Sequence, residues 1–107
     1  MNENTQQLIK DFVKERDWDQ FHTPENLVKS IVIEAAELLQ LFQWSSDFNK
    51  EKVCEEIADV IIYTQLFLNK MGLDIDGIVQ DKIRINEIKY PVNLSKGSSK
   101  KYTEFEL

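Results

Sequence analysis

Glu34 and Glu37 stand three residues apart inside the apolar run Ile31 to Phe42, and Glu56 and Asp59 repeat the spacing among Ile57, Ala58, Val60, Ile61 and Ile62. At about 100° per residue a helix places both members of such a pair on one stripe. The stripe of the first pair also carries Leu41 and Trp44, while Tyr63 follows the second pair by one turn. Four like charges beside apolar surface repel one another and lose hydration, which costs several kcal/mol unless something compensates. Divalent cations are the simplest compensation. Oxygen donors without Cys or His favour Mg²⁺, or Mn²⁺, which retains some waters and accepts phosphate oxygens as further ligands. Such a centre suits a phosphate-bearing substrate. Glu55 lies about a third of a turn off the stripe and reads as solvated.

The elements that would position these residues are helical, because the three Gly and two Pro of the 107 residues fall near segment ends. A first helix is expected over about Thr5 to Arg16, with Leu8, Ile9, Phe12 and Val13 on one face, followed by a short aromatic segment from Trp18 to His22. Thr23 reads as an N-cap with Pro24 at the first helical position, opening a second helix to about Trp44. Within it Leu27, Ile31, Leu38, Leu41 and Phe42 give the apolar surface. After the polar turn of Ser45, Ser46, Asp47 and Asn49, the spacing of Val53, Ile57, Val60, Ile61 and Phe67 predicts a third helix over Lys50 to Met71. Gly72 stops it, and Asp74 caps a fourth helix that reaches about Lys89 before Pro91, with Gly77 weakening its first turn. Residues 1–92 are thus read as one all-α, four-helix domain, and residues 93–107, rich in Ser, Lys and Gly, as an extended tail.

Composition narrows the function classes. A net charge of -6 argues against long nucleic acid as a partner, since phosphate-backbone binding needs clustered Lys and Arg. Apolar runs stay short of the ~20 residues that span a bilayer, so no membrane partner is expected. One cysteine, Cys54, excludes an internal disulfide and, with no leader-like start, suggests a cytoplasmic protein in which Cys54 is a small core residue. A chain of this size supplements a modest core by association, so a homo-oligomer is expected.

At these residues the sequence resembles the all-alpha nucleoside triphosphate pyrophosphohydrolases of the MazG-like superfamily, in their dCTP pyrophosphatase branch. The resemblance runs from Glu15 to His22, through Pro24 to Leu27, Glu34 to Trp44, Glu56 to Tyr63 and Lys82 with Asn86, and on to Tyr90-Pro91 and Gly97 to Glu104. It implies a MazG-like bundle completed by oligomerisation, as a homodimer or homotetramer. It also implies Mg²⁺-dependent cleavage of dCTP, or of a related modified deoxynucleotide, to the monophosphate and pyrophosphate. Glu34, Glu37, Glu56 and Asp59 match its metal ligands and catalytic carboxylates, and Trp18, Trp44 and Tyr63 match positions that hold the nucleotide. Aromatic faces suit that role, since stacking on a base contributes roughly 1 to 3 kcal/mol. Lys82 and Asn86 match positions near the phosphates, where an ammonium and an amide orient the triphosphate. His22 reads as a structural anchor. Ile9 stands where the branch carries a nucleotide-contacting His, and Glu87 and Ile88 stand where Arg is common, so the preferred base is left open.

Two alternatives remain at this stage, and a third is weak. A pyrophosphohydrolase for another nucleotide uses the same residues. A di-iron bundle requires Glu-x-x-His pairs, which the chain lacks. A helical interaction module whose carboxylates bind a basic partner predicts no turnover.

Overall fold

Each of the four long helices begins where a side chain takes over backbone donors that the first turn leaves unpaired. The computed structural model describes residues 1–105, which contain five helices and no strand. Helix α1 spans Glu3–Glu15, a 3-10 turn spans Asp19–Phe21, and α2 spans Pro24–Gln40. Helices α3 (Lys50–Met71), α4 (Ile75–Lys89) and the one-turn α5 (Val92–Ser95) follow, then a second 3-10 turn at Tyr102–Glu104. The four expected long helices are therefore present. The chain divides into two compact units, Met1–Gly72 and a second from Leu73 onward, each described here by itself.

In the first unit α1 starts two residues earlier than its expected Thr5, because Asn2 Oδ1 accepts the Thr5 N–H at 2.8 Å. Of its expected apolar face, Ile9 and Val13 are buried while Leu8 and Phe12, on the adjoining row, remain exposed. Thr23 caps α2 as expected, accepting the Asn26 N–H at 3.2 Å. The expectation that α2 reaches Trp44 is corrected. The N–H groups of Leu41, Phe42 and Gln43 bond to carbonyls three residues back, so the winding tightens after Gln40 and the helix ends. The connection that follows is gathered by Phe42 and Phe48, whose ring centroids lie 5.1 Å apart. Asn49 Oδ1 accepts from Glu51 and Lys52 to open α3, and Gly72, in left-handed backbone at φ 67°, closes it without a Cβ penalty.

Helices α2 and α3 pack along inward stripes that include acid. On α2 the more covered positions are Leu27, Ser30, Ile31, Glu34, Leu38 and Leu41, with Leu27 fully buried. On α3 they are Val53, Glu56, Val60, Tyr63, Thr64, Phe67 and Leu68. The inward phase thus takes Glu56 and leaves Ile57 and Ile61, both expected inside, exposed. Cys54 is also exposed, which corrects its reading as a core residue: it lies one position off that stripe. Gln65 is buried, with its amide donating to Asn69 Oδ1 at 2.8 Å. Among the described residues only four apolar side chains are buried, Ile9, Val13, Leu27 and Leu68. Much of the apolar surface of a single chain therefore faces outward.

In the second unit Asp74 caps α4 by accepting the Gly77 N–H at 2.9 Å, and α4 ends at Tyr90 before Pro91. The segment expected to be an extended tail instead forms α5 and a 3-10 turn, and returns to Tyr90. The Tyr90 ring packs edge-on against Tyr102 and Phe105, with centroids 6.0 and 5.8 Å apart. Residues 106 and 107 of that tail lie outside the described residues. No described helix is long and apolar enough to cross a membrane.

Candidate metal and nucleotide site

Because Glu34 and Glu56 occupy the inward stripes of α2 and α3, packing those helices drives the two carboxyl groups together. Asp59, one turn after Glu56, joins them: one oxygen each from Glu34, Glu56 and Asp59 lies within 4.8 Å of the others. Glu34 Oε2 and Glu56 Oε2 are buried and have no hydrogen-bond partner. Lost hydration, reinforced by the Glu37 carboxyl and by Asp59 and Glu56, pushes the Glu34 carboxyl up to about 7. The Glu56 carboxyl is raised for the same first reason, with Glu37 next and Asp59 after it. Buried oxygens without partners and a mutually repelling all-oxygen donor set fit a hard divalent cation, and the three carboxylates could hold one. Glu37, expected as a fourth member, is exposed and not among the three mutually converging oxygens, but its carboxyl reaches those of Glu34 and Glu56 and raises both by hydrogen bonding and by charge.

A cavity of about 650 Å³ opens between α1 and α3 beside this cluster. Asp59 lines it, together with Trp18 and Tyr63, so the structure brings two of the three expected aromatics to the acidic centre. Trp18 precedes the Asp19–Phe21 turn and packs edge-on against Phe12 at 5.5 Å. Tyr63 lies one turn beyond Asp59; burial and the negative charges of Glu34, Asp59 and Glu37 raise its phenol. The remaining wall is apolar, from Leu8, Ile9, Phe12, Ile61 and Ile62.

His22 also lines the cavity, its ring edge-on to Tyr63 at 6.3 Å and its Nδ1 buried without a partner. Burial lowers its pKa, against the pull of Asp19, and keeps the ring neutral at neutral pH. The α1 contribution from Thr5, Leu8 and Phe12 was not legible from sequence. The signals for α1 were Ile9, at a position the resemblance puts near the nucleotide and found on this cavity wall, and two adjacent apolar rows, of which one packs and the other is left facing outward.

Trp44 is not brought to this cavity. It lies beyond the end of α2 and is 89% exposed. Lys82 and Asn86 lie one turn apart on α4 in the second unit, Lys82 exposed and Asn86 half-buried.

Residues 29–105 match the MazG-like family. The chain is 40% identical to dCTP pyrophosphatase 1 of Rattus norvegicus and 38% identical to that of Homo sapiens, in each case over 95% of its own length. It spans 66% of the length of these curated relatives. A crystal structure of a pyrophosphatase from Archaeoglobus fulgidus DSM 4304 superposes with a TM-score of 0.78 at 38% identity, covering 83% of this chain and 91% of that one. With a carboxylate pair on each of two packed helices and matches in sequence and structure across most of its length, the chain belongs to the MazG-like family.

Proposed function

We propose that the chain is a divalent-metal-dependent nucleoside triphosphate pyrophosphohydrolase that cuts dCTP, or a related modified deoxynucleotide, into the monophosphate and pyrophosphate. The observation that carries this reading is Asp59, which belongs both to the carboxylate cluster and to the wall of the cavity that holds Trp18 and Tyr63. A phosphate chain at the acidic end and a base stacked at the aromatic end are the two halves of one ligand. The relatives named dCTP pyrophosphatase 1 support the choice of nucleotide.

Glu34, Glu56 and Asp59 would hold the metal, with Mg²⁺ the natural ion and Mn²⁺ an acceptable one. When bound, the ion neutralises charge on the triphosphate and makes water a better nucleophile. Glu37, exposed beside Glu34 and Glu56, would accept the proton of the attacking water. Trp18 and Tyr63 stack on the base, and His22 holds a neutral ring against Tyr63. Lys82 and Asn86 contact the phosphates, and Trp44 adds a further nucleotide contact in the assembled enzyme. That assembly is a homodimer or homotetramer, which would cover exposed residues such as Leu39, Ile61 and Ile88. A cytoplasmic setting fits an unpaired thiol at Cys54 and a substrate drawn from the nucleotide pool.

Pyrophosphate release across a panel of nucleotides, with dCTP also hydrolysed in ¹⁸O-labelled water, tests the reading. Attack at the α-phosphorus puts the label in dCMP. Release of dCDP with phosphate, or no turnover of any nucleotide, rejects it.

A further inference from the structure

The turn that presents Trp18 and His22 to the nucleotide cavity has little apolar packing of its own. Its three residues, Asp19, Gln20 and Phe21, are all exposed, and Trp18 and His22 are the residues that flank it. Asp17, just before it, sits in left-handed backbone at φ 52°, unusual for a residue with a Cβ. Gln20 steadies that conformation from within the loop, its amide donating to both Asp17 O and Asp17 Oδ2 at 3.0 Å. One polar contact ties the turn to a distant helix. Lys70, in the last turn of α3, donates to Asp19 Oδ1 at 2.8 Å across 51 residues of sequence. Among the described residues no other ion pair joins positions more than four apart. Lys70 does not line the Trp18–Tyr63 cavity. It lines an adjoining one of about 510 Å³, with Lys14 and Asn69, that shares Val13, His22 and Leu66 with the first.

We propose that Lys70 is a positioning residue: by holding Asp19 it fixes the Asp19–Phe21 turn, and with it the Trp18 and His22 rings, against the base-binding end of the cavity. The role assigned to Trp18 rests on the function proposed above; the clamp itself does not. Asp19 is well exposed and Lys70 partly so, so the pair contributes little to global stability. Its effect falls on a turn whose other restraints are local: Gln20 on Asp17, the Asn26 amide donating to Phe21 O at 2.9 Å, and Phe12 against Trp18. A ring already fixed loses less freedom when a base stacks on it, so the clamp acts on substrate affinity rather than on the chemical step.

The test uses the full chain. With Trp44→Phe, Trp18 becomes the only tryptophan, since the sequence has two. Acrylamide quenching of its fluorescence then reports how firmly the ring is held. Lys70→Met, which keeps the apolar stem, and Asp19→Asn should each raise the quenching constant. In the Trp44-containing protein they should raise KM for dCTP by about threefold to tenfold while kcat stays within about twofold. Lys70→Arg should behave as wild type, and the reversed pair, Asp19→Lys with Lys70→Asp, should restore quenching and KM together. Unchanged quenching in Lys70→Met overturns the proposal. So does a rise in KM without a change in quenching, which would mean that Lys70 acts on the triphosphate directly. If the wild-type protein turns over no nucleotide, the functional reading fails, and the quenching measurements alone decide the clamp.

Discussion

The acidic centre between α2 and α3 and the aromatic turn before α2 meet at one cavity but are built on opposite terms. The acidic centre consists of side chains fixed by long helices, and its groups oppose one another: burial and mutual repulsion push the Glu34 carboxyl up to about 7. It is rigid in backbone and unfavourable in charge. At the aromatic turn the backbone is the weak part, with Asp17 left-handed and the contact to α3 made by one exposed ion pair. Rings there gain from packing, as Phe12 and Trp18 do edge-on at 5.5 Å. Strain is thus held as charge at the proposed phosphate end of the cavity and as backbone geometry at the proposed base end.

Removing the proposed proton acceptor should give the largest effect. Glu37→Gln should lower kcat for dCTP roughly a hundredfold to ten-thousandfold, because proton transfer to a placed carboxylate contributes about that much. Its metal-free melting temperature should hold or rise, since one repelling charge is gone. Comparing kcat with thermal melts checks both, and a variant with wild-type turnover would place the acceptor elsewhere. At the other end of the cavity, Trp18→Ala should cost roughly 1 to 3 kcal/mol in substrate affinity, the contribution of one stacking platform. Isothermal titration with a non-hydrolysable dCTP analogue measures this, and unchanged affinity would make Trp18 a packing residue only.

The acidic centre also predicts a pH dependence opposite in sign to that of Asp19 and His22 at the turn, both of which are lowered. Glu34 binds its proton more tightly in the folded chain than at the ordinary value of 4.5, so its contribution to stability is complete below that value. It is lost as pH rises through about 7. Metal-free protein should therefore melt at progressively lower temperature between those limits, and Glu34→Gln should flatten the slope. Millimolar Mg²⁺ should reverse the loss at the upper end, where the carboxyl is ionised and free to bind. A slope that Glu34→Gln leaves intact would assign it to other groups. The smallest effect belongs to the turn: Asp17→Val, which puts a β-branched residue in left-handed backbone, should destabilise by about 1 to 2 kcal/mol, and Asp17→Gly far less. Urea unfolding distinguishes the two variants, and equal stabilities would remove backbone strain from the comparison.

What the sequence determined by itself is local. Caps at Thr23 and Asp74, the stop at Gly72 and the three-residue spacing of each acidic pair follow from the covalent period of the helix, and each is found where the pattern puts it. The resemblance carried in the acidic pairs and the Leu-Phe-Gln-Trp segment was legible for the same reason, since it lies in contiguous residues. Tertiary structure decided the rest. Spacing gives the relative phase of Glu34 and Glu37 but not which of them turns inward, and only the packing of α2 on α3 drew Glu34, Glu56 and Asp59 together while leaving Glu37 at the exposed edge of the cluster. The same packing exposed Cys54 and Ile57. Trp44 left the stripe because three backbone hydrogen bonds tightened after Gln40, a competition between helix types that differ by little energy and leave no mark in residue type. Trp18 beside Tyr63, and Lys70 on Asp19, join residues tens of positions apart, and contacts at that separation are fixed by how the helices cross rather than by any local pattern.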